Sequence, residues 1–395
     1  MLNIKYSPWP SYTDEEANAV RAVLLSNQVN YWTGTECREF EKEFAEFANC
    51  KYAVALTNGT VALDVAFKVL EIGLDDEVIV TSRTFLASVS SIVNAGAKPV
   101  FADVDVGSQN ISPDTIATMI TAKTKAIVCV HLAGWPCEMD GIMALADKYK
   151  LYVIEDCAQA HGARYKGQSV GSIGHIGAWS FCQDKIMTTG GEGGMVTTND
   201  KSLWSKMWSY KDHGKSWEAV YVRKHPPGFR WLHDSFGTNW RMMEMQAVLG
   251  RIQLKRMPEW TTKRQANANR IWEVARQIPS LRIPEVPAYF EHAAYKCYVF
   301  IRPEKLKVGW DRDRIMSEIM MQGVPCYSGS CSEVYLEKAF DNTGWQPEQR
   351  LPVAKELGET SLMFLVHPTL TESEIQKTCE VLNKVMTQAS AHLNL

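Results

Sequence analysis

The chain has 395 residues, with 42 Lys+Arg against 45 Asp+Glu for a formal charge of −3, and is 46% hydrophobic and 22% charged. This is a globular composition: it excludes a disordered or collagen-like chain and offers no basic excess with which to grip nucleic acid or anionic lipid. At roughly 100–200 residues per domain the length predicts two domains.

Residues 1–8 show no basic region followed by an apolar stretch, so they do not read as a signal peptide. The longest apolar runs, such as 126–130, fall far short of the ~18 residues that suggest a membrane span. Ten cysteines are scattered singly with no C-x-x-C pair, which predicts reduced, mostly buried thiols in a cytoplasm. Thr13-Asp14-Glu15-Glu16 is a capping box, with Val20, Val23 and Leu24 following at helical spacing, so a first helix starts there. Phe40, Phe44 and Phe47 recur at i, i+4 and i+7, which places three rings on the core face of a second helix.

From residue 52 the pattern becomes short apolar runs at 52–56, 77–80, 99–104, 126–130, 151–154, 178–181 and 195–198, with amphipathic stretches such as 61–70, 87–95 and 139–148 between them. Runs apolar on both faces are strands covered on both sides by helices, so the expected fold is α/β, with a mainly parallel sheet of about seven strands. Ligands on such sheets bind at the carboxyl ends of the strands. Past residue 200 the alternation gives way to helical sequence at 203–211, 242–257 and 260–277, then a strand at 295–302 and helices at 312–322 and 372–389. The predicted division is a large α/β domain over 1–260 and a smaller α+β domain over 261–395. Residues 223–230 form a basic Pro/Gly loop, either solvated or a clamp for a substrate's phosphates.

The residues just after the strands carry the chemistry. Asn58-Gly59-Thr60 joins the first strand to a helix; the free N–H groups of a helix start can hold a phosphate, and an ordinary helix cap explains the same residues. Glu155-Asp156 ends a strand buried on both faces, where acids are costly unless something pairs with them; the alternative is a capping Asp. Lys185 lies shortly after Ala178-Trp179-Ser180-Phe181 and before Gly190-Gly191-Glu192-Gly193-Gly194, where a lysine can sit partly desolvated and act as a nucleophile. No G-x-x-x-x-G-K-[ST] occurs and no G-x-G-x-x-G follows a strand, which removes the main support for nucleotide hydrolysis and for dinucleotide-dependent hydride transfer. Pyridoxal 5′-phosphate needs a lysine for its aldehyde, an acid for its ring nitrogen and donors for its phosphate, and all three types stand at strand ends here. His131, His161 and His175 show no metal-ligand spacing and read as structural, so no metal is expected; His161 stands nearest to a substrate role.

The motifs Asn58-Gly59-Thr60-Val61-Ala62-Leu63, Ser82-Arg83-Thr84-Phe85, Val130-His131-Leu132-Ala133-Gly134, Glu155-Asp156-Cys157-Ala158-Gln159-Ala160, Ser180-Phe181 with Lys185, Asn239-Trp240-Arg241-Met242 and His367-Pro368 resemble, in order and spacing over residues 5–385, the DegT/DnrJ/StrS-type nucleotide-sugar aminotransferases. These are fold-type-I enzymes dependent on pyridoxal 5′-phosphate. The resemblance implies that Lys185 bonds the cofactor aldehyde and shuttles the proton, and that Asp156 pairs with the pyridinium. It further implies that Phe85 stacks on the ring, that Gln159 lies near the phenolic oxygen, and that Gly59, Thr60 and Ser180 hold the phosphate. Asn239 matches a residue that reaches the neighbouring subunit's phosphate, which implies a homodimer with shared active sites.

A lysine at 185, where the sugar-dehydratase branch of the family has histidine, favours transamination from L-glutamate to a keto-sugar carried on a nucleoside diphosphate. A UDP- or dTDP-4-keto-6-deoxy hexose is the expected acceptor, for a surface glycan such as O-antigen lipopolysaccharide or for a natural product. The alternatives are a 3-keto sugar, a dehydratase, or a non-catalytic regulator of the same fold. Gln183-Asp184 departs from the small residue and Thr expected before the lysine, and 326–331 also departs from the family pattern.

Overall fold

The computed structural model describes residues 6–391, so the sequence readings that fall on 1–5 and 392–395 lie outside the described residues. The central sheet has seven strands: β1 (Tyr52–Leu56), β2 (Glu77–Thr81), β3 (Lys98–Ala102), β4 (Thr124–Val130), β5 (Tyr152–Asp156), β6 (Ile176–Ser180) and β7 (Gly194–Thr198). Their spatial order is β1-β7-β6-β5-β4-β2-β3. Pairing is parallel from β3 through β2, β4 and β5 to β6, and β7 runs antiparallel to both its neighbours. Parallel neighbours need a long crossover, usually a helix; the chain between β6 and β7 contains none, so β7 returns antiparallel. The expected α/β class and the seven apolar runs are thus the observed sheet, with ends shifted by a residue or two.

Helices cover both faces. Helix α1 (Asp14–Ser26) begins at the Thr13–Glu16 capping box, and Glu16 also accepts hydrogen bonds from Gln253 and Arg256. In α2 (Glu36–Phe47), Phe40 and Phe44 are fully buried and Phe47 packs against them partly exposed. Helices α3 (Gly59–Val69) and α4 (Ala87–Asn94) carry the chain from β1 to β2 and from β2 to β3. A second, antiparallel sheet, ordered Leu281–Arg282, Cys297–Ile301, Ser361–Phe364, Cys326–Tyr327, packs with Arg312–Met321 and Glu372–Ala389 around its own core.

The two helices expected at 242–257 and 260–277 are one helix, α5 (Glu244–Arg276), with Pro258 inside it. An internal proline costs about 3 kcal/mol, and burial outweighs that here because the helix serves two cores. Ala247, Leu254 and Met257 pack under the large sheet, and Ala268, Ile271, Trp272 and Ala275 under the small one. The division expected at 260/261 falls within this helix. Among the described residues no helix is long and apolar enough to cross a membrane, and all ten cysteines are free.

Candidate active site

The carboxyl ends of β1, β2, β5 and β6 open into a cavity of about 650 Å³ lined by Gly59, Thr60, Phe85, Asp156, Gln159, Ser180 and Lys185. Seven of the eight residues singled out from the sequence therefore share one space. The eighth, Asn239, is exposed and lies outside that lining; its backbone bridges to Asp212 in the segment after the large sheet. Phe229, Trp231 and Phe236 of the same segment are 77%, 79% and 98% exposed.

The start of α3 is held tightly. Asn58 is its cap, accepting a hydrogen bond from the Val61 N–H at 3.0 Å, which leaves the Thr60 hydroxyl free of capping work. A Cβ on Gly59 would stand 2.6 Å from the Ser180 Cβ, closer than real Cβ contacts allow. Only glycine lets the helix start rest on the end of β6, where first-turn N–H groups without helical acceptors face the cavity.

Asp156 is 7% exposed. Its Oδ2 accepts from the Ser88 hydroxyl at 2.7 Å and its Oδ1 from the Ala158 N–H at 3.1 Å. Ser88 is itself 2.9 Å from the Thr84 hydroxyl, so a short chain of polar groups from α4 fixes the carboxylate. Sequence reasoning missed Ser88. Its only local signal is a hydroxyl on the inner face of an amphipathic helix, next to the singled-out Thr84-Phe85. Gln159 accepts from the Ala133 N–H at 2.8 Å through its amide oxygen, which directs its amide nitrogen elsewhere.

Lys185 follows β6 in an irregular turn whose backbone is pinned by the Trp9 indole, donating to the Lys185 carbonyl at 2.8 Å. Its side chain is 17% exposed; Nζ lies 3.8 Å from the Asp184 carboxylate and 5.4 Å from the centre of the Tyr295 ring. The Tyr295 hydroxyl donates to Asp184. Burial alone would raise the Asp184 carboxyl, but Lys185, the Tyr295 hydroxyl and Lys296 together hold it below its ordinary value. Asp184 thus stands between the lysine and the Tyr295–Lys296 pair.

Glu155 serves the other side of the sheet. Fully buried, it accepts from the backbone N–H groups of Gly171, Ile173 and Gly174 at 2.6–2.9 Å, and its Oε2 lies 3.0 Å from His131 Nε2. His131 Nδ1 accepts from the Cys137 N–H at 3.0 Å. His131, Glu155 and Cys157 cluster closely enough to suggest ligands, but both ring nitrogens and both carboxylate oxygens are already engaged within the protein. His175 Nδ1 accepts from the Val153 N–H. His161 is fully buried, 5.3 Å from the Trp179 ring and 5.6 Å from Phe181. Burial first, then Lys185 and Arg264, push it down to about 3, so it is neutral at physiological pH.

With this geometry in place, comparison with known proteins is specific. The profile of the DegT/DnrJ/EryC1/StrS aminotransferase family matches residues 10–383. The GDP-perosamine synthase of Escherichia coli O157:H7 is 34% identical over 384 residues, 96% of this chain and 99% of that enzyme. The UDP-N-acetyl-3-dehydro-alpha-D-glucosamine 3-aminotransferase of Acidithiobacillus ferrooxidans is 34% identical over 374 residues, 94% of each. The solved structure of an aminotransferase from Psychrobacter cryohalolentis superposes with a TM-score of 0.96 at 68% identity, covering 97% of this chain and 99% of that one.

Proposed function

Because the chain belongs to the DegT/DnrJ/EryC1/StrS aminotransferase family, we propose that it moves an amino group from L-glutamate to a keto-sugar nucleotide, using pyridoxal 5′-phosphate held in the 650 Å³ cavity. The observation that carries this reading is the convergence of Lys185 and Asp156, from successive strands, on one cavity floored by a helix start. The family's chemistry depends on this cofactor. The donor set suits it: a lysine for an aldehyde, an anchored carboxylate for a pyridinium, and a cradle at Gly59, Thr60 and Ser180 that an added Cβ would fill. When bound, the cofactor supplies an electron sink that stabilises negative charge on the substrate carbon.

The protein's part is binding, orientation and proton movement. Ser88 holds Asp156 so that its charge stays aimed at a ring nitrogen. Phe85, 70% exposed on the cavity edge, offers a face for a flat ring. Lys185 Nζ carries the proton to and from the substrate carbon, with Asp184 as its nearest acid. Asn239 and the exposed aromatics at 229, 231 and 236 complete the site of a second copy, so the working unit is a homodimer in the cytoplasm.

The acceptor in this reading is a UDP- or dTDP-4-keto-6-deoxy hexose, destined for an amino sugar of a surface glycan. A 3-keto sugar nucleotide is the second reading, favoured by the 3-dehydro substrate named for the Acidithiobacillus relative. Incubating the enzyme with glutamate and a panel of keto-sugar nucleotides, following 2-oxoglutarate and assigning the aminated carbon by NMR, tests both. Deoxygenated sugar without 2-oxoglutarate would overturn transamination, and sedimentation as a monomer would overturn the shared site.

A further inference from the structure

A second cavity, of about 260 Å³, lies against the first, and Asp184 lines both. Its walls come from residues 6–9, from Tyr295 and Lys296, from Arg264 of α5 and from His367. Arg264 is 1% exposed, and one donor, Nη1, reaches the Tyr295 carbonyl at 3.4 Å; Nε and Nη2 bond to nothing among the described residues. The guanidinium lies 4.8 Å from the Trp9 ring, and among the described residues no acid forms an ion pair with it. Lys296 is partly buried, with Nζ 4.7 Å from the Tyr295 ring centre. His367 is 4% exposed and hydrogen-bonds through Nδ1 to the Thr369 hydroxyl; burial, then Arg264 and Lys296, hold it neutral by pushing it down to about 3.

This wall is short of negative charge. Burying a guanidinium without a carboxylate is costly, and here a second cation stands beside it. Burial pushes Arg264 down to about 9 and Lys296 down to about 8. The single carboxylate on the wall among the described residues, Asp184, is already shared between the Tyr295 hydroxyl and Lys185.

We propose that this second cavity receives a carboxylate of the amino donor, with Arg264 and Lys296 as its charge partners, while the donor's amine lies across Asp184 at Lys185. The inference rests on the reading of glutamate as donor. A nucleotide phosphate shares the anionic chemistry, but the 260 Å³ is smaller than the roughly 300–1,000 Å³ that encloses a whole drug-sized ligand. It suits the end of a small molecule, and the planar fork of an arginine matches a carboxylate. Held there, the donor's remote charge fixes the amine beside the lysine, so binding energy far from the reacting atoms is spent on orientation.

Calorimetry on the cofactor-loaded enzyme tests this, with glutarate as an unreactive dicarboxylate and UDP and inorganic diphosphate as phosphate probes. Lys296→Met is expected to weaken glutarate at least about tenfold and to leave UDP unchanged. Arg264→Lys keeps the charge without the fork and reports on the buried position if larger changes unfold it; it should raise the KM for glutamate and not that for the sugar nucleotide. Loss of UDP or diphosphate affinity with glutarate unchanged would assign the cavity to the nucleotide and overturn the carboxylate. Unchanged affinity for all three probes in both variants would overturn the site. If the wild type forms no 2-oxoglutarate from glutamate, yet its glutarate affinity depends on Lys296, the donor reading fails and the carboxylate site stands.

Discussion

Glu155 and Asp156 are consecutive in one strand, and the pleat sends them to opposite faces of the sheet. On one face both oxygens of Glu155 are met by backbone N–H groups or by His131. On the other, Asp156 takes one hydroxyl and one N–H and borders 650 Å³ of open space. Two acids that look alike in sequence divide by what surrounds them: saturation of its acceptors ties one to the fold, and the open cavity frees the other for a ligand. The same test sorts the neighbours of each.

The largest expected effect lies on the open face. Lys185→Ala should lower turnover by about 10⁴-fold, the upper end for losing a positioned proton carrier, and leave the fold intact, because the Nζ contacts are long, 3.8 Å to Asp184 and 5.4 Å to the Tyr295 ring centre. Steady-state rates and thermal unfolding on the same preparation check this, and a variant that unfolds early while keeping its rate would reverse the assignment. On the closed face Glu155→Gln turns an acceptor into a donor facing backbone N–H groups. It should cost about 3–5 kcal/mol of stability, the range for breaking a buried charge network, read as a lower urea midpoint. Should this variant keep its midpoint and lose its activity, Glu155 belongs with the ligand and the contrast between the faces disappears.

A smaller effect sharpens the open face itself. Ser88→Ala removes a 2.7 Å hydrogen bond to Asp156, and bonds to charged groups are worth about 1.5–3 kcal/mol, so kcat should fall at least about tenfold with little change in the KM for either substrate. Ser88→Thr, which keeps the hydroxyl, should recover most of the rate. A loss confined to KM would show that Ser88 shapes the cavity and does not orient the acid.

The sheet and most of the cavity were legible because each strand is apolar on both faces and each site residue follows its strand by a few positions, so a local pattern located both. What local pattern does not carry is the partner brought in by another element. Ser88 enters from a helix that reads only as amphipathic, and Arg264 and Lys296 come from the long helix and from the bend that leads into the strand Cys297–Ile301, far from Lys185 in sequence. The two helices expected at 242–257 and 260–277 leave a gap that holds Pro258, a residue that removes a backbone donor. No break occurs there, since two cores hold one rod and tertiary burial is invisible to a window of residues. Asn239 shows the opposite limit: its motif was readable, yet it lies outside its own chain's cavity.

The smallest effect concerns His161, which touches the comparison from both sides by lying near Lys185 in charge and near Trp179 in packing. Burial lowers it to about 3 in the folded chain, and His292 and His367 are lowered likewise, to about 4 and about 3. Below about pH 6.5 the unfolded chain takes up these protons while the native chain does not until far lower pH, so stability falls as pH drops through that window. Each such histidine contributes at most about 1.4 kcal/mol per pH unit. His161→Phe should therefore flatten the acid limb of a stability–pH curve by up to about that slope while leaving turnover near the wild-type value at pH 8. An unchanged acid limb with a strong loss of turnover would move His161 out of the packed face and into contact with substrate.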